Sequence, residues 1–195
     1  MTIVSAKPSL YRSALPSPIG AMIAALLCSW TPASWAKDGI PANFQLIAGE
    51  HRLPAEVLYS VAVTESGQKL RSGKLRPWPW TLNVAGKAQR YPTRLAAWQG
   101  LTEYLQQGVD LIDIGIMQVN WRYHREQLGS PWQALEPFHN TRTGARILKL
   151  EYQKTGTWKT AIGRYHSPGS KTKQQERAKH YAQRVVKRMA QLRSE

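Results

Sequence analysis

Cysteine is almost absent: Cys28 is the single one in 195 residues, so neither a disulfide framework nor a Cys-ligated zinc site is available. Acidic residues are also scarce. Twelve of them face 27 Lys and Arg, a formal net charge of +15, which points to an anionic partner. Nucleic acid, lipid surfaces and anionic cell-wall polymer all meet that description, and charge alone does not separate them. The apolar run at 19–30 falls short of the roughly 20 residues a spanning helix needs. The histidines, at 51, 124, 139, 166 and 180, include no i,i+4 pair and no HExxH, and no GxSxG elbow is present, so metalloprotease and serine-hydrolase chemistry lack their usual carriers. The stretch GQKLRSGKL at 67–75 imitates a phosphate-binding loop. It has five residues between its glycines instead of four, and Leu75 stands where a Mg²⁺-binding Ser or Thr belongs. No cofactor and no metal site is expected.

What remains is carboxylate chemistry, centred on LPAEVLYSVAVTESG at 53–67. Pro54 suits a first helical position and Gly67 a left-handed residue past the end. Leu58, Val61, Ala62 and Glu65 fall at i, i+3, i+4 and i+7, one face of a helix, so Glu65 lies on an apolar stripe. A carboxylate held there loses hydration of its charged form, its pKa rises, and it can act as a general acid near neutral pH. A helix-end Glu that reaches solvent or pairs with an Arg is the competing reading.

Residues 1–36 have the layout of an export signal. Lys7 and Arg12 are basic, the apolar run follows, and Ser34-Trp35-Ala36 places small residues at −3 and −1. Cleavage there leaves a domain at 37–195 with no stable membrane span, and an uncleaved anchor is the alternative. Lys+Arg falls to 25 against the same 12 acids, leaving +13. An exported basic protein meets wall polymer first, and the carboxylate-cleavable bonds there are glycosidic.

Along that domain, 38–50 reads as a lead-in helix carrying Phe44, Ile47 and Ala48, packed against the Glu65 helix. The stretch 68–79 reads as an irregular basic loop. Residues 80–84 and 88–91 suggest a hairpin turning at Gly86, and Thr93 caps a helix to 107 with Leu95, Trp98 and Leu101 inward. In 111–114 strand alternation sends Ile112 and Ile114 to one face and Leu111 and Asp113 to the other. GIMQVN follows at 115–120, and 121–137 carries no clear periodicity. Asn140 suits a helix cap, 157–166 suits another helix, and a longer one closes the chain with Ala178, Tyr181, Ala182, Val185, Met189 and Leu192 inward.

Three short motifs, Glu65-Ser66, then Gly115-Ile116-Met117-Gln118, then Ala161-Ile162-Gly163-Arg164-Tyr165, resemble in content and order those of the soluble lytic transglycosylase superfamily. The stretch PWPWTLN at 77–83 is similar to a subgroup encoded with conjugation or secretion machinery. His166-Ser167 departs from the family's usual Asn after the tyrosine, and about fifty residues between Glu65 and Gly115 exceed its usual spacing. The resemblance implies a mainly α, lysozyme-like fold with a small β-hairpin insertion. It implies cleavage of the β-1,4 bond between N-acetylmuramic acid and N-acetylglucosamine in periplasmic peptidoglycan, with a 1,6-anhydro product. Glu65 would act as acid and then base, with Tyr165 holding it by a hydrogen bond. Ser66 would support the end of the catalytic helix and stand among the substrate-binding residues, with Met117 and Gln118 lining sugar subsites and His166 touching substrate. Asp113, just before Gly115 in DIGIMQVN, resembles in position the second carboxylate of animal-type lysozymes, whereas typical members of the superfamily work without one; a turn residue that bonds nearby backbone is the alternative. Peptidoglycan is the implied partner, with a conjugation or secretion envelope complex beyond it; nucleic acid is not expected. A hydrolytic muramidase and a non-catalytic basic binding module are the alternatives.

Overall fold

The computed structural model describes residues 39–194; the export signal expected at 1–36 lies outside them. Two helices open the fold, α1 (Ala42–His51) and α2 (Ala55–Ser66). They pack as expected, Phe44 meeting Tyr59 edge-on at 5.0 Å between ring centroids. The helix α2 is the centre of the molecule. Val57, Leu58, Tyr59, Ser60, Val61, Ala62, Val63 and Ser66 are all buried, which describes a helix covered on nearly every side and not one with a single apolar stripe. Pro54 sits at the cap, one place earlier than expected.

Gly67 does not end α2 in the left-handed region. Its φ is −54°, and the chain leaves the helix extended, straight into β1 (Gly67–Lys69). Glycine is required there for space: a Cβ would stand 2.3 Å from the Val63 carbonyl oxygen. The stretch expected to be an irregular loop forms a small antiparallel pair, β1 with β2 (Leu75–Pro77). Three-residue strands rich in Lys and Arg carry too little alternation to be recognised.

The second sheet is antiparallel, in the order β4-β3-β5-β6. Its hairpin, β3 (Thr81–Val84) and β4 (Lys87–Arg90), turns through Ala85 and Gly86 at φ 52° and 79°, a two-residue turn with both centres left-handed. Next in chain order come α3 (Arg94–Gln106), capped by the Thr93 hydroxyl, and β5 (Ile112–Ile114), which pairs with β3. On α3 the buried residues are Ala97 and Leu101, whereas Leu95 is exposed. As alternation required, Ile112 and Ile114 are fully buried.

Residues 115–118 are a tight turn from β5 into β6 (Val119–Asn120). The unassigned region folds into α4 (Trp121–Leu128) and α5 (Pro131–Ala134). The chain then closes with α6 (Pro137–Thr155), α7 (Trp158–His166) and α8 (Thr172–Ser194). Asn140 is not the cap of α6. Glu136 performs that role, accepting from the Phe138 and His139 amides. Packing of α8 on α7 and α2, and of α6 on α7 and α1, encloses the core around α2. Among the described residues no helix is long and apolar enough to cross a membrane.

Candidate active site

Glu65 ends the central helix where the α-helices meet the four-stranded sheet. Its carboxyl is enclosed by protein while the residue keeps an open edge on two cavities. Burial pushes its pKa up to about 7, with the nearby Asp113 charge adding to the rise; Tyr181 and Arg184 act in the opposite direction. Glu151, another buried acid, behaves differently: hydrogen bonds from Lys154 and Arg164 outweigh the effect of its burial and hold its pKa below the usual value. The competing reading for Glu65, a carboxylate paired with an Arg, therefore describes Glu151. Glu65 is in no salt bridge among the described residues.

The cavity of about 270 Å³ on one side of Glu65 is lined by Asp113, Asn83, Asn120, Gln118, Tyr165 and His166, with Tyr123 and His124 at its wall. Sheet register builds its floor. Asn83 and Asn120 are the direct cross-strand partners of Asp113 on either side, so three polar side chains stand in a row. Both amides donate to the Asp113 carboxylate, at 3.1 Å and 2.8 Å. Burial still moves its pKa up, against the pull of these two donors. Burial also lowers the pKa of His124 and of His166, which favours the uncharged ring. Tyr123, 71% exposed, offers an aromatic face of the kind that stacks on a sugar ring.

Two expected substrate contacts are corrected. Ser66 is fully buried and its hydroxyl lies 2.7 Å from the Ile116 carbonyl and 3.1 Å from that of Ala62. It ties the end of α2 to the 115–118 turn and does not reach the cavity. Met117 is also fully buried, packed where a Cβ on Gly144 of α6 would come within 2.7 Å of its own. Its contribution is its backbone: the amide donates to Asn140 Oδ1 at 2.8 Å, while Asn140 Nδ2 reaches the Ile114 and Ala134 carbonyls at 3.0 Å each. Gln118, at φ 49°, does line the cavity, with its amide nitrogen held on the Thr81 and Gly115 carbonyls.

The tyrosine that serves Glu65 also differs from expectation. Tyr165 borders the cavity, but its one hydroxyl proton goes to the Met117 carbonyl at 2.7 Å, so it can only accept from a protonated Glu65. Tyr181 of α8 has its proton uncommitted. Its hydroxyl is buried and meets no partner in well-formed hydrogen-bond geometry, yet it lies close enough to the Glu65 carboxyl to favour the charged form. His166 stacks on the Tyr181 ring at 4.4 Å, and the Arg184 guanidinium lies 5.4 Å from its centroid. The inward face of α8 was legible in the sequence; its meeting with Glu65 was not. Tyr181→Phe is expected to cost about tenfold in turnover and to move the alkaline limb of the pH profile upward, because the charged carboxylate loses a donor. An unmoved limb would show that Tyr181 only packs.

Among the described residues no three His, Cys, Asp or Glu side chains converge as metal ligands would. A proton-bearing glutamate beside an aspartate, at the junction of a mainly α body with a small antiparallel sheet, defines a lysozyme-like enzyme. More specifically, the chain belongs to the transglycosylase SLT domain family, whose model matches residues 43–186, and that family acts on peptidoglycan as lytic transglycosylases. Comparison with curated proteins and with solved structures returned no match.

Proposed function

We propose that the protein is an exported, periplasmic lytic transglycosylase, with its catalytic domain at 37–195. It would cut the β-1,4 bond between N-acetylmuramic acid and N-acetylglucosamine and leave a 1,6-anhydro end. The observation that carries this reading is the enclosure of the Glu65 carboxyl at the end of α2, in the wall of the cavity it shares with Asp113; burial there raises its pKa to about 7, where one carboxyl can give and take a proton in the same turnover. The Glu65 carboxyl protonates the glycosidic oxygen as the C1–O bond breaks. The carboxylate so formed removes the proton of the muramic C6 hydroxyl, whose oxygen bonds to C1. Glu65 is thereby protonated again, and no water is consumed. Asp113, Gln118 and His166 line the cavity that would receive the sugar, and Tyr165 borders the same space. Association with a conjugation or secretion envelope complex rests on the 77–83 stretch and is part of the proposal.

A second reading, hydrolytic muramidase action, is favoured by one observation: Asp113 shares the cavity with Glu65, as a second carboxylate does in retaining glycosidases. Mass analysis of products from purified protein and peptidoglycan separates the two. Transglycosylation gives ends lighter by one water than the reducing ends of hydrolysis. Reducing ends throughout would replace the first reading with the second.

A further inference from the structure

The cavity on the other side of Glu65 has a different chemistry. It measures about 410 Å³ and is lined by Arg90 of β4 and by Arg184, Lys187 and Arg188 of α8, with Glu65 the only acid among the described residues of its wall. A more open recess shares Leu75, Arg188 and Gln191 with it and continues to the β1–β2 turn, where Lys74 adds a fifth cation. Elsewhere on the surface arginines find carboxylates: Arg122 with Asp110, Arg142 with Glu50, Arg193 with Glu56. The four cations of this cavity take part in no salt bridge among the described residues. Two are nevertheless held in place. Arg90 Nη2 donates to the Gly67 carbonyl at 3.0 Å and Arg188 Nη1 to Gln191 at 2.8 Å, while the buried Arg188 Nε has no partner. Converging like charges in a concavity repel one another and concentrate a field for anions, and guanidinium groups suit planar carboxylates.

Among the described residues the cavity that Glu65 shares with Asp113 has no Lys or Arg in its lining, which is made of the two carboxyls, amides, histidines and tyrosines beside an apolar wall. Uncharged hydroxyl and acetamido groups suit that side. Resting on the peptidoglycan reading above, we propose that the basic cavity holds carboxylates of the peptide stem borne by the muramic residue at the cleaved bond. The enzyme therefore selects stem-bearing glycan over bare glycan. Arg90 and Arg184 lie inside the matched family region, 43–186, and Lys187 and Arg188 just past its end.

The test uses the full domain carrying Glu65→Gln and needs no turnover. Calorimetry compares a GlcNAc-MurNAc disaccharide bearing a tetrapeptide with the same disaccharide whose lactyl carboxyl is capped as a simple amide. The stem-bearing fragment is expected to bind about tenfold tighter. Adding Lys187→Ala and Arg188→Ala removes that advantage and leaves the stemless fragment unchanged. Lys171→Ala with Lys173→Ala, the same loss of charge at the other end of α8, changes neither. Circular dichroism confirms that each variant is folded. Equal affinity for the two fragments overturns the proposal. So does an equal loss in the Lys171 and Lys173 pair, which would indicate attraction by net charge, or equal displacement of both fragments by inorganic phosphate, which would indicate a general anion pocket. Failure of the transglycosylase reading appears instead in the product masses and leaves this binding difference measurable.

Discussion

Glu65→Gln is expected to give a folded protein that no longer cleaves peptidoglycan, a loss of roughly a hundred- to ten-thousandfold or more. Glutamine keeps the size and polarity of the side chain and removes the exchangeable proton. The same variant makes a second, independent forecast through stability. The Glu65 pKa is about 7 in the fold against 4.5 as a free side chain, so the folded state binds the extra proton between those values. Its stability contribution is fully present below pH 4.5 and lost as pH rises through 7. Above that, the wild type must keep a charge enclosed, whereas the substituted amide carries none. The variant should therefore be more stable than the wild type at pH 8, by on the order of 3 kcal/mol, and lose that lead by pH 4.5. Turnover at the parent rate would remove Glu65 from the mechanism; an unchanged difference in melting across this range would remove the raised pKa.

Asp113→Asn is expected to be the next most damaging change, lowering turnover about ten- to a hundredfold without unfolding the domain. In the parent, Asn83 and Asn120 both donate to Asp113, an arrangement suited to an ionised acceptor. The variant offers an amide nitrogen to one of those donors and loses that bond. It also removes a negative charge from the cavity in which an oxocarbenium-like centre develops. The direction of a second effect follows from Glu65. Asp113 helps to raise its pKa, so in the variant the alkaline limb of the pH profile should move to lower pH. The parent rate with an unmoved limb would make Asp113 a structural residue of the sheet.

Much of the frame around these two carboxylates was legible locally. Alternation across 111–114 oriented Asp113, the Ala85-Gly86 turn placed the hairpin, and the apolar period of α8 put Tyr181 inward. What escaped depends on where distant backbone groups find their partners. Nothing local states that Asn140 directs its side chain to the 115–118 turn, and that link is what buries Met117. The Ser66 hydroxyl has the same character, since it joins α2 to the Ile116 carbonyl. Tyr165 and Tyr181 both approach Glu65; which one keeps a proton for it is decided by the position of the Met117 carbonyl. The helix α2 showed a single stripe by period and is buried nearly all round because layers from both ends of the chain close over it.

That closure comes late in the chain. The helix α8 covers α2 with Tyr181, Ala182 and Val185, and through Tyr181 and Arg184 it forms one side of the Glu65 environment. A chain emerging N-terminus first contains Glu65 long before it contains this cover. Without α8 the Glu65 carboxyl loses part of the burial that raises its pKa, so the proton it needs to give is held less firmly at neutral pH. Lytic competence thus depends on the docking of α8, and a domain lacking that helix is expected to be inert toward peptidoglycan.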